Sequence, residues 1–325
     1  MKYLLRHLGL YLLAAWVSVT LNFFLPRTMP GDPVTALIGR MHGKLGPAAI
    51  EALKATYGFT KGSIVQQYFS YLSHLLHGDF GVSLSAYPVP VSAIISTALL
   101  WTLLLGFVVT VLGFVAGTAL GVIVGWKRGG RLDSILPGLF SFLGSFPYFF
   151  LAMLALFFLG YSWKWFPMAH AYADSLSPGL SWPFIASVLY HLVLPAATVL
   201  LVSIGGWLIS MRSTMIAVLA EDYITMAEAK GLSQRRVMLS YAMRNAILPN
   251  ITQFGMSIGF ILGGQILTEI VFSYPGLGFY LVRAVTTHDY PLMQALFLMI
   301  TLAILAANFI MDLLYVRLDP RVRGR

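Results

Sequence analysis

The sequence predicts an all-α integral membrane protein, and three observations carry that expectation. Hydrophobic residues make up 58% of the chain and charged residues only 10%, with a mean hydropathy of +0.80; soluble domains carry about 25% charged residues. Six apolar stretches recur, each long enough for the roughly 17–25 residues that a helix needs to cross hydrocarbon. Between the fourth and fifth lies a polar, helix-prone segment, Glu221–Pro249, with Gly231 near its middle.

The first stretch is Leu8–Leu25, preceded by Lys2 and Arg6. A secretory signal begins in the same way, but this apolar run is longer than a signal core. No clear small-x-small cleavage site follows, so an uncleaved helix is expected. Residues 27–97 then form a small external subdomain, because aromatics and leucines recur through it in a manner foreign to disordered linkers. Met29-Pro-Gly-Asp-Pro33 opens it with a rigid turn; helices are expected over Pro47–Tyr57, with proline in the first turn, and over Ser63–Leu76. The remaining spans are Ala98–Trp126, Ser134–Gly160, Phe184–Ser210, Asn250–Phe272 and Leu292–Val316. Most exceed one crossing, which implies tilt or extension past the bilayer. Pro147 and Pro195 interrupt two of them, as helix breakers can where neighbouring helices or water satisfy the freed carbonyls.

Basic residues orient the set. With the N-terminus inside, 14 of the 21 Lys and Arg fall in cytoplasmic segments. Five of the remaining seven lie in the first external segment, too long to weigh heavily in the positive-inside rule. Both termini are therefore expected in the cytoplasm of a multi-pass protein. The expected divisions are 1–26, the first helix; 27–97, the external subdomain; 98–316, a five-helix core that includes a cytoplasmic helix-turn-helix loop at 212–249; and 317–325, a cytoplasmic tail. The net charge of +9 sits beside apolar spans, which favours control of topology over contact with nucleic acid. Absence of cysteine removes disulfides and thiolate metal sites without fixing a compartment.

Within the polar segment, Glu221–Lys230 suits one short helix and Ser233–Ala246 a second. Gly231 ends the first by taking the left-handed conformation common at helix C-termini. Ser233 is placed to cap the second, its hydroxyl accepting from orphan N–H groups. An amphipathic helix lying on the membrane is the competing reading, and the mixture of acids and bases is poor for it. Two small-residue stripes recur at four-residue spacing, Gly113, Gly117, Gly121 and Gly125 in the second span, and Gly255, Gly259 and Gly263 in the fifth. Such faces let helix backbones approach closely, so tight packing is the first expectation.

Polar groups inside spans are few. Gln265, Thr268 and Glu269 stand toward the outer end of the fifth, and Asn308 and Asp312 in the sixth. Ionisable groups at such depth are functional candidates by default. Gln265, Glu269 and Asn308 are thus candidates for a translocation path, although Glu269 and Asp312 are near enough to span ends to reach headgroups; Asp312 reads as an inner-end anchor.

Gly39-Arg-Met-His-Gly-Lys-Leu45 has one residue too few between its glycines for a phosphate-binding loop and ends in leucine where a magnesium-binding hydroxyl is required. His74 and His77 share a possible helix face, with Asp79 nearby, but make a poor metal site. The subunit is therefore expected to be no enzyme, and to bind no cofactor or metal.

The segment Glu221–Pro249 resembles the signature that import permeases of the ATP-binding cassette class present to their ATPases, with Glu228, Ala229, Gly231, Ile247, Leu248 and Pro249 in the signature positions. The likeness extends over nearly the whole chain. Pro30-Gly-Asp-Pro33, Tyr57-Gly58, Gln67-Tyr68, Gly78-Asp-Phe-Gly81 with Ser83, Phe272-Ser-Tyr-Pro-Gly-Leu-Gly278 and Asp289-Tyr-Pro291 are similar to the larger permease of dipeptide, oligopeptide and nickel importers. Tyr241, where the family often has histidine, and Thr225-Met226 depart from the pattern. Leu25–Pro30 and Gly205–Arg212 resemble the branch that includes oligosaccharide importers.

The resemblance implies a sister permease, two ATPases that bind ATP and magnesium, a substrate-binding protein outside, and location in a bacterial or archaeal plasma (inner) membrane. It also implies a coupling surface made of Glu221, Tyr223, Ala227, Glu228, Ala229, Lys230, Gly231, Leu232, Arg244, Asn245, Leu248 and Pro249. Di- or oligopeptides are the expected cargo, with oligosaccharide or nickel as alternatives. An ion-coupled carrier would show an inverted repeat and paired broken helices near mid-bilayer, and an intramembrane enzyme would show converging nucleophile–base or metal-ligand pairs. Neither pattern is found in the sequence.

Overall fold

The computed structural model describes residues 2–28, 63–259 and 261–318, apart from the side chains of 2–7, 26, 28, 262, 264 and 311–318. The predicted turn at 29–33, the predicted helix Pro47–Tyr57 and the C-terminal tail lie outside these residues. The described elements are helical throughout, save for one isolated antiparallel bridge between Val82 and Pro90. In chain order they are α1 (Lys2–Thr28), α2 (Ile64–Leu76), α3 (Val91–Trp126), α4 (Arg131–Gly144) and α5 (Tyr148–Ala155), which widens to a π-helical turn over Leu156–Ser162. Next come α6 (Trp182–Leu219), α7 (Asp222–Ala229) and α8 (Gln234–Arg236, π-helical over Val237–Ala242, then α again over Met243–Ala246). The last are α9 (Leu248–Gly259), α10 (Ile261–Gly264), α11 (Ile266–Val271), α12 (Leu277–Thr286) and α13 (Tyr290–Leu318).

Among the described residues four helices are long and apolar enough to cross a membrane, with apolar spans at Leu8–Leu25, Val91–Trp126, Trp182–Leu219 and Tyr290–Ile310; the pair α4 and α5 makes a fifth if counted as one bent span. That pair departs from the continuous span expected over Ser134–Gly160, because it turns by 91°. Pro147 is the cause. Its ring forbids the incoming helical hydrogen bond, and its ψ of 129° sends the chain away from the axis of α4. Pro195, by contrast, is absorbed within α6, which runs on as one helix of 38 residues. The span expected over Asn250–Phe272 is also interrupted: Gln265, with φ −112° and ψ 9°, leaves helical geometry between α10 and α11.

The chain divides into two compact units, residues 1–102 with 275–325, and residues 103–274. In the first unit α2 docks on the C-terminal part of α1. Phe23 is fully buried and meets Tyr68 and Tyr71 at ring-centroid distances of 5.2 and 5.6 Å. The Arg27 guanidinium lies 3.6 Å over the Phe23 ring and donates to Gln67 Oε1 at 3.2 Å. Ser63 and Gln66 close a reciprocal capping box at the start of α2, which fixes its first turn. α1 also pairs with α13, through Asn22 Nδ2 donating to the Gln294 carbonyl at 2.6 Å and Gln294 Nε2 returning a bond to the Asn22 carbonyl at 3.1 Å.

The same unit joins two separated sequence motifs. Asp289 is completely buried. One of its carboxylate oxygens accepts from Ser83 Oγ, from Ser85 Oγ at 2.7 Å and from Ser85 N–H at 2.9 Å. The other accepts from Leu292 N–H at 3.3 Å, which caps the first turn of α13. Thr102 Oγ1 likewise accepts from Leu277 N–H at 2.8 Å and starts α12.

In the second unit, α3 and α6 approach backbone to backbone along the first predicted glycine stripe. A Cβ on Gly117 would collide with Trp207 and stand 2.9 Å from the Ile204 carbonyl oxygen. One on Gly121 would lie 2.6 Å from Met211 Cβ, and one on Gly125 2.6 Å from Met215 Cβ. The stripe is therefore a packing seam. A Cβ on Gly255, in the second stripe, would meet no heavy atom within 4 Å among the described residues, so no seam of that kind is seen there.

Candidate functional site: the coupling loop

At 36 and 38 residues, α3 and α6 are about 54 and 57 Å long at 1.5 Å per residue, well beyond the ~30 Å of hydrocarbon. Their C-terminal ends form a platform for the polar segment after α6. Val122 of α3 and Met211 and Met215 of α6 cluster with Ile224 and Ala227 of α7 and Val237, Ala242 and Ala246 of α8. Trp126, Leu219, Leu232 and Ile247 pack around this cluster. Burying apolar surface at about 25 cal/mol per Å² gives the loop a hydrophobic base of its own.

The corner between α7 and α8 follows from Gly231. Its φ is +74°, the left-handed conformation predicted for it. Gly231 N–H donates to the Glu228 carbonyl at 2.8 Å and Leu232 N–H to the Ala227 carbonyl at 3.4 Å, the double closure of a Schellman turn. The cap expected from Ser233 is not formed. Its side chain makes no capping bond, and only its backbone carbonyl engages the next turn, accepting from Arg236 and Val237 N–H at 2.9 and 3.0 Å. The second helix is also not uniform, since the stretch 237–242 is π-helical. The wider turn leaves Val237, Ala242 and Ala246 all buried although they are five and four residues apart.

The candidate coupling residues mostly share the open side of this corner. Glu221, Tyr223, Glu228, Ala229, Lys230, Gly231, Arg244, Asn245, Leu248 and Pro249 are exposed, Leu232 is half-buried and Ala227 is buried within the cluster. Asn245 Nδ2 donates to the Tyr223 hydroxyl at 2.8 Å, so two of them link α7 to α8 directly. Met226, named above only as a departure from the family pattern, is 62% exposed and stands out as an apolar group on the open face. Its signal was the helical period: Ile224 and Ala227 turn inward and leave Met226 outside. The platform carries one ion pair, between Arg212 of α6 and Asp133 of α4. Asp133 also accepts from Gly129 N–H at 2.9 Å.

The translocation candidates are divided between the two units. Gln265 and Glu269 are one helical turn apart, joined by Glu269 N–H donating to the Gln265 carbonyl at 3.0 Å. Glu269 is 1% exposed, buried rather than reaching toward headgroups. Asn308 belongs to α13 in the other unit and is half-buried. His74 pairs with Asp79 at 3.2 Å on an exposed surface, and no group of three metal-ligating residues occurs among the described residues.

Two long apolar helices thus carry at their C-terminal ends a folded helical corner whose outer face is polar and exposed. Residues 117–324 match the family described as binding-protein-dependent transport system inner membrane component. The chain is similar over its full length to the dipeptide transport system permease protein DppB of Escherichia coli K12, with 32% identity over 100% of this chain and 99% of that protein. It is 34% identical to the Lactococcus lactis protein of the same name, over 99% of both chains. Identity to the oligopeptide transport system permease protein AppB of Bacillus subtilis is 33%, over 93% of both. The chain belongs to the binding-protein-dependent transport system inner membrane component family.

Proposed function

We propose that this chain is the permease subunit of an ATP-driven, binding-protein-dependent importer of di- or oligopeptides. The observation that carries the reading is end-to-end similarity to dipeptide and oligopeptide permeases, in a chain whose coupling signature folds into an exposed corner seated on two long helices. In this reading six spans form half of a pathway, completed by a sister permease. The boundaries are 1–26, 27–97, 98–316 with the loop 212–249, and 317–325, with both termini and the loop in the cytoplasm. The external subdomain faces a substrate-binding protein.

Two ATPases hold ATP and magnesium and do the hydrolysis. Their closure on ATP pushes the exposed face of the corner, made of Tyr223, Glu228, Lys230, Arg244, Asn245 and Leu248. The apolar base of the corner passes the displacement to α3 and α6. The push can shift the pore only because the two pore states present the corner differently; a corner identical in both would transmit nothing. Gln265 and Glu269, with Asn308, line the path.

Deletion of this subunit should abolish growth on a peptide as sole nitrogen source, and Glu269→Gln should lower peptide uptake only in part. Undiminished peptide uptake in the deletion strain overturns the peptide assignment. Topology is tested separately, the native chain having no cysteine. Cysteine at Ser175 should react with an impermeant thiol reagent from outside, and cysteine at Gln234 only from inside. Labelling of Gln234→Cys from outside would place the corner on the wrong side for an ATPase.

A further inference from the structure

We propose that Asn250 is a positioning residue for coupling: its buried amide locks the end of the coupling loop to α3 and α6 together, so that both helices receive one displacement. This rests on the importer reading above and deepens it. Asn250 follows Pro249, the last residue of the coupling signature, and is completely buried. Its Nδ2 donates to Thr118 Oγ1 of α3 at 3.0 Å and to the Trp207 carbonyl of α6 at 3.2 Å. Its Oδ1 accepts from Ser210 Oγ of α6 at 2.7 Å. Both amide N–H groups and the carbonyl oxygen are thus engaged, on two different helices.

Two details make this more than incidental packing. Ser213 and Thr214 turn their hydroxyls back onto their own helix, to the Ile209 carbonyl at 2.9 Å and the Ser210 carbonyl at 3.2 Å. Ser210 instead donates sideways to Asn250. The site also adjoins the glycine seam, since Gly117 directly precedes Thr118 and packs on Trp207. The amide therefore sits where α3 and α6 are already held backbone to backbone.

The cluster beneath α7 and α8 is apolar, and apolar contact is non-directional. A loop pushed by an ATPase could slide across it without moving the helices beneath. Directional hydrogen bonds in a low-dielectric interior resist that slip. Asn250 supplies them at the point where the loop becomes α9.

The test uses the full complex, with sister permease and ATPases, reconstituted in proteoliposomes with binding protein and a dipeptide. It reads dipeptide imported per ATP hydrolysed, together with the yield of assembled complex. If the unmodified complex shows no dipeptide-stimulated hydrolysis, the importer reading has failed, not this one. Given that stimulation, Ser210→Ala and Thr118→Val should each lower the ratio by about fivefold or more, the scale of ordinary coupling energies. Asn250→Leu should lower it further, and Ser210→Thr, which keeps the hydroxyl, should restore it. A purely structural role would reduce the yield and leave the ratio of the surviving complex unchanged. A wild-type ratio in either Ser210→Ala or Thr118→Val overturns the proposal, whether or not Asn250→Leu assembles.

Discussion

Two corners of this molecule share one hydrogen-bond pattern and differ in nearly everything else. Between α7 and α8, Gly231 and Leu232 close the turn onto the Glu228 and Ala227 carbonyls. Between α12 and α13, His288 N–H donates to the Val285 carbonyl at 3.2 Å and Asp289 N–H to the Ala284 carbonyl at 2.8 Å. The left-handed residue is Gly231 at φ +74° in one and His288 at φ +54° in the other. Asp289 caps the next helix and draws Ser83 and Ser85 onto it through a buried carboxylate, whereas Ser233 makes no capping bond. The α12–α13 corner spends its polar groups internally. The α7–α8 corner is held from below by apolar side chains and keeps most of its polar groups exposed, with Asn245 and Tyr223 bonded to each other across its open side. A buried joint and an open corner can thus be made from the same turn.

The largest effect should come from removing the buried carboxylate. Asp289→Ala strands the Ser85 and Leu292 N–H groups and two hydroxyls in a dry site, and each such group costs about 1–3 kcal/mol. A stability loss above about 3 kcal/mol is expected, read as a large fall in the midpoint of thermal unfolding in detergent. An unchanged midpoint would show that the joint is not held by this cap.

Gly231→Pro comes next. Proline cannot take φ +74° and lacks the N–H given to the Glu228 carbonyl, a defect of roughly 3 kcal/mol confined to the corner. Transport should be lost while membrane insertion survives. Glu228→Arg should match it in transport at little stability cost, because Glu228 is exposed and the proposed docking face would have its charge reversed. Normal uptake by both variants at normal expression removes the corner from the mechanism.

Exchanging the left-handed residues sharpens the comparison. Gly231→Ala should cost about 1–2 kcal/mol, the steric penalty of a Cβ in that conformation. His288→Gly should be neutral or stabilise by up to about 1 kcal/mol, because relief of strain is set against greater chain entropy in the unfolded state. No cost for Gly231→Ala, or a loss above about 1 kcal/mol for His288→Gly, in thermal unfolding would contradict the shared turn geometry. The smallest effect belongs to Ser233→Ala, expected within about 0.5 kcal/mol. A loss of 1 kcal/mol or more would show that the hydroxyl caps after all.

Much of this was legible in the sequence because hydropathy and turn chemistry are local. The apolar run Leu8–Leu25, the left-handed turn at Gly231, the helix from Ser63 and the close-packing stripe from Gly113 to Gly125 each follow from residues within a turn or two of one another. Hydropathy marked the polar segment between spans, whereas the candidate coupling residues on it followed from resemblance to a family signature. What the tertiary structure decided depends on partners distant in the chain. Pro147 redirects its helix and Pro195 does not, although a proline has the same ring in both places. Ser233 has the composition of a cap and makes none, because the apolar cluster already fixes where α8 begins. Ser83 and Ser85 lie 206 and 204 residues from Asp289, and Asn250 finds partners across 132 and 40 residues. Hydropathy says which stretches leave water; only the packed chain decides which buried polar groups meet, since each must find its donors and acceptors wherever the fold brings them.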